Sequence, residues 1–201
     1  MVRTIFLMSI IFSFVSVGSA ICEQPEFQET AEGIIKSLTK SPTVRTRGVV
    51  RKRGFSAAPQ SRSIVVKERI DNKYVEKILT IYQDQPTAHA NLKIEFDINS
   101  YRIRPEAYPL LKELGTAMRD EKLKDKSFYI NGHTDSDGLQ EHNLELSVNR
   151  AESVKDFLVG NFSIPAYRLK VMGYGEGVPL TDNTNEWSKQ INRRVEIKLL
   201  N

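Results

Sequence analysis

Residues 131–138, which read NGHTDSDG, bring together side chains that could do chemistry. A histidine, two carboxylates and two hydroxyls lie between Gly132 and Gly138. This combination is typical of a catalytic site, of a metal site, or of a site that binds a charged ligand without changing it. The residues around the segment decide among the three.

The metal and catalytic interpretations lack residues that they need. Asp135 and Asp137 resemble the opening of a calcium loop. However, Gly138 comes too early, and Leu146 stands where the closing glutamate is required. The three histidines and one cysteine of the chain are too few for a zinc site, and Ser136 is not in a G-x-S-x-G elbow. We therefore predict no catalytic residue, no metal and no cofactor, and we expect the chain not to be an enzyme.

Asp135 and Arg150 favour the binding interpretation. The segment leads into a helix that carries Arg150, and Asn143 projects from the same face two turns earlier. A carboxylate and a guanidinium that flank one pocket suit a zwitterion: the carboxylate binds an ammonium, and the guanidinium binds a carboxylate in bidentate fashion. A plain surface salt bridge between Asp135 and Arg150 fits the same pattern, and spacing alone does not separate the two alternatives.

The hydrophobic pattern predicts the elements that position these groups. Apolar spacing indicates four strands and two helices, which in chain order lie at residues 92–96, 105–118, 128–130, 144–158, 167–172 and 195–199. Pro105 suits a first helical position, whereas Pro109 delays or kinks the helix. The order β-α-β-α-β-β predicts an α+β fold in which helices pack on one mixed sheet.

The first 20 residues are typical of a secretory signal peptide. Arg3 precedes an apolar run that is short for a membrane span, and residues 18–20 offer a small-residue cleavage site. We therefore predict a signal peptide at residues 1–20 and an exported protein. Cys22 is the only cysteine, and Ile21 stands where a lipidated cysteine would have a small residue before it. This favours a free thiol over a lipid anchor.

Residues 21–85 are predicted to be a basic, partly disordered N-terminal region that acts as a linker. No Asp or Glu occurs between Ile34 and Lys67, and Pro, Gly and Ser punctuate the stretch. Attraction to anionic polymers or lipid head groups is the alternative use of the charge. No nucleic acid is expected as a partner of an exported chain. Association with a membrane is left open. Membrane-spanning strands are not expected, because the region lacks many ten-residue segments of alternating apolar and polar residues.

Motifs from residue 96 onward resemble the OmpA-like peptidoglycan-binding domain. They are Phe96-Asp97-Ile98-Asn99-Ser100, Gly132-His133-Thr134-Asp135, Asn143-x-x-Leu146-Ser147-x-x-Arg150-Ala151, Gly173-Tyr174-Gly175-Glu176 and Asn192-Arg193-Arg194-Val195. The resemblance covers roughly Ala88 to Asn201, and we assign the domain to residues 86–201. It implies non-covalent binding of peptidoglycan through the diaminopimelate of the stem peptide. It also implies a periplasmic location, associated with the outer membrane or the cell wall.

The resemblance assigns roles to five residues of the site. Asp135 is expected to hold the ammonium of diaminopimelate and Arg150 its carboxylate. Asn99 and Asn143 are expected to support the ligand, and Val195 to contribute its backbone. Both charged residues are expected to be largely solvent-facing. His133 is interpreted as a structural, hydrogen-bonded residue near the strand end.

Two departures from the family pattern stand near the predicted site. Ser188-Lys189 occurs where many members have Gly-Arg, and Asp137 occurs where a small or hydroxyl residue is common. The second adds a negative charge whose effect on the ligand is left open. An alternative function is an envelope or secretion-system scaffold. In that case residues 21–85 bind a partner protein and wall binding only localises it.

Overall fold

The computed structural model describes residues 25–40, 61–70, 73–82 and 88–200. The predicted signal peptide and Cys22 lie outside these residues. The elements, in chain order, are α1 (Ala31–Thr39), β1 (Ser61–Ile70), β2 (Lys73–Tyr82), β3 (His89–Leu92), α2 (Tyr108–Arg119), β4 (Ser127–Gly132), α3 (Gln140–Phe162), β5 (Leu169–Gly173), α4 (Glu186–Asn192) and β6 (Val195–Leu200). Of the helices in these ranges, none combines the length and apolarity that crossing a bilayer requires.

Six strands form one mixed sheet in the order β2-β1-β5-β4-β6-β3. β4 and β5 are parallel and are joined through α3, whereas the other neighbours are antiparallel. Apolar side chains of the sheet and of α2 and α3 form the core, which includes Phe128, Ile130, Val171, Ile197, Leu111, Leu114, Val154 and Leu158. The predicted order β-α-β-α-β-β is therefore confirmed from β3 to β6, with the short helix α4 inserted before β6.

The structure changes two predicted boundaries and adds one helix that was not predicted. A 3-10 turn at Pro105–Ala107 precedes α2, and Pro109 lies in the first turn of that helix, so Pro109 delays the helix start as one alternative predicted. β3 ends at Leu92, earlier than the apolar alternation predicts, and Phe96 forms only an isolated bridge with Ile103. α4 was missed because its seven residues show no clear apolar period. Its start is instead fixed by a capping box between Asn185 and Ser188.

Residues 21–85 contain three elements that the sequence analysis did not assign. In α1, Ile34 and Leu38 lie one turn apart and are buried in the same core cluster as α2 and β3. The N-terminus of α1 is held by Glu113 of α2, which accepts a hydrogen bond of 2.8 Å from the Ala31 amide. β1 and β2 pair with each other along their whole length. These parts of the basic region are therefore folded onto the domain.

Glycines set the distance between α3 and the sheet. A Cβ atom on Gly132, at the end of β4, would lie 1.9 Å from the carbonyl oxygen of Ser147. A Cβ on Gly173, at the end of β5, would lie 2.4 Å from a methyl group of Val148. Only glycine permits the helix to approach both strand ends this closely. The loop after β4 and the middle of α3 are thereby brought together.

Candidate functional site

Residues 133–139 form a loop that its neighbours hold in place. The His133 amide donates to the carbonyl of Arg194 at 3.0 Å, and the Thr134 amide donates to the carbonyl of Gly175 at 2.9 Å. Asn143, near the start of α3, lies beneath the loop and is buried. The loop is thus tied to β6, to the turn after β5 and to α3, which fixes the direction of its carboxylates.

Asp135 is buried and already bound by other groups. Only 8% of the Asp135 residue is exposed to solvent. One carboxylate oxygen accepts a hydrogen bond of 3.1 Å from the Asp137 amide, and the other accepts one of 2.6 Å from Nη1 of Arg193. The second terminal nitrogen of Arg193 binds Glu186. The expectation that Asp135 is largely solvent-facing is therefore wrong, because the chain before β6 covers it.

Arg150 is buried to the same extent, also at 8% exposure, so the same expectation is wrong for it. Its Nε donates to the carbonyl of Ser100 at 3.0 Å, and its guanidinium lies 5.1 Å from the centre of the Phe96 ring. Burial lowers the pKa of Arg150 to about 10, although the nearby Asp135 opposes this shift. The guanidinium thus stays charged at neutral pH. Within the described residues, its terminal nitrogens make no hydrogen bond.

The two charged residues line one cleft but do not form an ion pair with each other. The cleft has a volume of about 400 Å³, and its lining also includes Asn99, Asn143 and Arg193. Asp135 pairs with Arg193, whereas Arg150 is anchored by a backbone carbonyl. Of the two alternatives that the sequence left open, a plain Asp135–Arg150 salt bridge is therefore the one that the geometry disfavours.

The three supporting residues occupy different places. Asn99 lines the cleft in a left-handed turn with φ of 49°, a conformation that asparagine tolerates better than most residues. Asn143 also lines the cleft, but its amide nitrogen donates to the Asp137 carbonyl at 3.0 Å and to the Glu176 carboxylate at 2.8 Å. Val195 is buried in β6 and is not part of the cleft wall. The structure therefore brings Asn99 and Asn143 to the cleft, and not the Val195 side chain.

The two departures from the family pattern face each other across the cleft rim. Nζ of Lys189 donates to both carboxylate oxygens of Asp137, at 2.7 and 2.9 Å. This hydrogen-bonded contact raises the pKa of Lys189. The neighbouring Ser188 closes the capping box that starts α4. The extra negative charge at position 137 is thus matched by the positive charge of Lys189 in α4.

His133 is a buried structural residue, but its ring is not hydrogen-bonded as predicted. Within the described residues neither ring nitrogen has a hydrogen-bond partner, and Nε2 lies 3.7 Å from the Glu196 carboxylate. The ring instead stacks on Tyr174 with 5.1 Å between the ring centres. Burial, followed by the nearby charge of Arg194, lowers the pKa of His133 to about 4. His133 is therefore neutral at physiological pH. It does not add to the positive charge of the cleft.

Sequence reasoning did not find the role of Arg193. Its place beside Arg194, just before the last strand, favours packing and ion pairs over ligand contacts, and the ion pairs are present. Its specific partner, Asp135, is 58 positions away along the chain. Register between β4 and β6 brings the two together, because Gly132 lies opposite Val195. In the described ranges, no group of three or more His, Cys, Asp or Glu side chains is arranged to hold a metal ion.

Known proteins resemble the C-terminal part of this chain. Residues 95–193 match the model described as "OmpA family". Outer membrane porin F of Pseudomonas aeruginosa is 34% identical over 108 residues, which are 54% of this chain and 30% of that protein. Outer membrane protein A of Klebsiella pneumoniae is 38% identical over 100 residues, or 49% of this chain and 29% of that protein. The match thus spans about a third of the length of these relatives.

A solved structure supports the fold independently. The periplasmic domain of Helicobacter pylori MotB aligns over 60% of this chain and 80% of its own, with a TM-score of 0.50 and 22% identity. At this identity the likeness concerns the fold alone. Residues 95–193 of this chain thus match the OmpA family model, and the architecture from β3 to β6 agrees with that match in fold.

Proposed function

We propose that this protein binds peptidoglycan without chemical change, through the diaminopimelate of the stem peptide. It would act in the periplasm of a diderm bacterium, in association with the outer membrane or the wall. The observation that carries the proposal is the state of Arg150. Its guanidinium is buried in the cleft, charged at neutral pH and oriented by Ser100, while its terminal nitrogens are available to a ligand.

A carboxylate is the group that suits Arg150 best. Two terminal N–H groups in one plane match the two oxygens of a carboxylate, and burial strengthens such charge-assisted hydrogen bonds. The ring of Phe96 at 5.1 Å covers one side of the guanidinium and shields it from water. The free carboxylate of diaminopimelate would fill this position. A lysine at the same position of a stem peptide lacks that carboxylate.

An ammonium is the group that suits the opposite wall of the cleft. Asp135 and Glu186 carry two negative charges there, and Arg193 between them carries one positive charge. One negative charge is left over. Because each carboxylate oxygen can accept two hydrogen bonds, Asp135 retains capacity beyond the donors that it already has. The wall therefore favours a cation, and the cleft as a whole favours a zwitterion.

Sedimentation with purified peptidoglycan tests this proposal. The full chain should pellet with diaminopimelate-type wall material and much less with lysine-type material. Arg150→Lys keeps the charge and loses the bidentate geometry, so it should abolish most of the pelleting. Loss of one hydrogen bond to a charged group typically costs about 1.5–3 kcal/mol. Arg102→Ala is the matched control, because Arg102 is exposed and does not line the cleft.

Isothermal titration with soluble stem peptides separates the ligand carboxylate from other contacts. The wild type and the Arg150→Lys variant are each titrated with a diaminopimelate peptide and with a lysine peptide. Arg150→Lys should weaken binding of the diaminopimelate peptide strongly and binding of the lysine peptide hardly at all. Equal weakening of both peptides would place the ligand carboxylate elsewhere. The wall material should also release no soluble fragments during incubation, since no bond is expected to break.

An envelope or secretion-system scaffold is the second candidate function. It is favoured by α1 and the β1–β2 hairpin, which add folded surface outside the family region at residues 95–193. In this case residues 21–85 would bind a partner protein, and wall binding would only localise the complex. A partner complex that survives Arg150→Lys while wall pelleting is lost would support this candidate.

A further inference from the structure

β2 lies at the edge of the sheet, and in the described parts of the chain no strand covers its outer side. The strand has ten residues and contains no proline, a residue that often protects an exposed edge. Several of its apolar side chains face solvent. Ile78 is 75% exposed, and Tyr74 and Val75 are also exposed. A long, regular edge of this kind is suited to pairing with another strand.

The hairpin is fixed to the domain, so this edge has a defined position. β1 pairs with β5 at Lys67 and Glu68. Two further contacts join the hairpin to α3. The Tyr74 hydroxyl donates to Asn149 at 2.6 Å, and Arg69 lies 3.7 Å from the Glu152 carboxylate. The other described residues of β1, and all of β2, make no ladder with β5. The edge is therefore presented on a held, projecting hairpin, which lowers the entropic cost of pairing.

We propose that β2 pairs in antiparallel fashion with β2 of a second copy of this chain. A symmetric pair of antiparallel edge strands has a two-fold axis perpendicular to the sheet. At this axis one residue of the strand lies opposite the same residue of the second copy. Only a few axis positions along β2 give a long ladder. An axis at Lys77 pairs residues 73–81, and an axis at Ile78 pairs residues 74–82. Other axes leave shorter ladders.

Charge selects between the two long registers. An axis at Lys77 places two lysines directly opposite each other, which is unfavourable. An axis at Ile78 places the most exposed apolar residue of the strand against its own copy. In that register Lys77 lies opposite Leu79 and Glu76 lies opposite Thr80. This register places no like charges directly opposite each other, and it buries the exposed Ile78.

The proposed dimer leaves the cleft open. β2 and β3 are at opposite edges of the sheet, and the cleft is lined by residues 93–99, which follow β3, by the loop after β4, by α3 and by residues that precede β6. Pairing through β2 extends the sheet to twelve strands without covering the cleft of either copy. A dimer would therefore carry two clefts. The inference stands on the edge strand and is independent of the ligand proposed above.

Cysteine cross-linking tests the register. In a chain with Cys22→Ser, Ile78→Cys should form a disulfide-linked dimer under mild oxidation, since opposite residues of paired strands are close enough for a disulfide. Val65→Cys is the matched control. Val65 lies opposite Ile78 on the same face of the hairpin and is also exposed and β-branched. In the proposed dimer its two copies are roughly 14 Å apart, three strand spacings, so it should not cross-link.

Sedimentation equilibrium of the full chain tests the assembly itself. The wild type should dimerise, and Ile78→Lys, which places two lysines opposite each other, should raise the dissociation constant at least about tenfold. Val65→Lys should leave it within about threefold. Ile78 is so exposed that its replacement leaves the fold intact, which far-ultraviolet circular dichroism checks. A wild type that stays monomeric at high concentration would overturn the proposal, as would equal cross-linking of the Ile78→Cys and Val65→Cys chains.

Discussion

Gly132→Ala is expected to push the sheet and α3 apart at the base of the cleft. The added Cβ atom would lie 1.9 Å from the carbonyl oxygen of Ser147 and 2.7 Å from its carbonyl carbon. Both are backbone atoms in the middle of a long helix, so no side-chain rotation can relieve the clash. Ordinary contacts of a Cβ begin near 3.4 Å. Strand and helix must therefore separate by about 1.5 Å, which the close packing of the core resists.

The free-energy cost of this separation can be compared with that of other substitutions that overfill a protein core. Extra methyl groups in a well-packed core typically cost about 1–3 kcal/mol, and occasionally more. Because the obstacle here is backbone, we expect the free energy of unfolding to fall by about 3 kcal/mol. For a chain of this size that corresponds to a Tm lower by about 6–12 °C. Arg150 lies one turn after Ser147 on α3, so its guanidinium should be displaced and ligand binding weakened as well.

Urea denaturation followed by circular dichroism measures this effect, and Gly160→Ala is the matched control. Gly160 lies in the same helix, is exposed, and has no atom within 4 Å of a Cβ built on it. Alanine there should stabilise the protein by about 0.5–1 kcal/mol, because it favours the helix more than glycine does. The same substitution thus has opposite signs at the two positions. A Gly132→Ala protein that unfolds at the urea concentration of the wild type would refute the close approach of α3 to β4.

Two further predictions concern charge near the cleft. Because the pKa of His133 is about 4 in the folded chain and 6.5 in the unfolded one, the unfolded state binds more protons between these values. The free energy of unfolding should therefore fall by up to about 3 kcal/mol as the pH drops from about 6.5 to about 4. Denaturation across this pH range measures the fall. The free energy of unfolding should fall less in His133→Phe, which keeps the ring stack on Tyr174, than in His142→Gln, a control at an exposed histidine. Lys189→Ala leaves Asp137 unmatched beside the cleft. The uncompensated charge repels the ligand carboxylate proposed to bind Arg150, so wall binding should weaken by about two- to fivefold at low salt and recover at high salt. Binding by the Lys189→Ala, Asp137→Asn double variant should show no such salt dependence.

The fold from β3 onward was predictable because its periodicity survives in the sequence. Apolar and polar residues alternate in β4 and β6, and apolar residues recur at helical spacing in α3, since one face of each element packs in the core. The β1–β2 hairpin was not predicted, because the absence of acidic residues before Lys67 dominated the interpretation. A signal was nevertheless present. Two ten-residue runs rich in β-branched residues are separated by Asp71-Asn72, a pair typical of a turn.

That Asp135 and Arg150 share one cleft was predictable, whereas their surroundings were not. Asp135 and Arg150 both line the cleft, as their motifs indicate. Their burial depends on segments distant in sequence: Arg193 reaches Asp135 from the end of α4, and the chain at Phe96 and Ser100 covers Arg150. Such contacts follow from strand register and loop conformation, which spacing within a motif does not encode. The opposing charges of Asp137 and Lys189 were likewise visible only separately.

The separate anchoring of Asp135 and Arg150 explains how opposite charges can share a cleft without neutralising each other. If they paired directly, a zwitterionic ligand would first have to break a buried salt bridge, which is strongly unfavourable. Instead Arg193 holds the carboxylate and the Ser100 carbonyl holds the guanidinium. Each group is fixed in place with hydrogen-bonding capacity left for a ligand. Because both are already ordered and largely withdrawn from water, a ligand that matches them has a smaller ordering cost on binding.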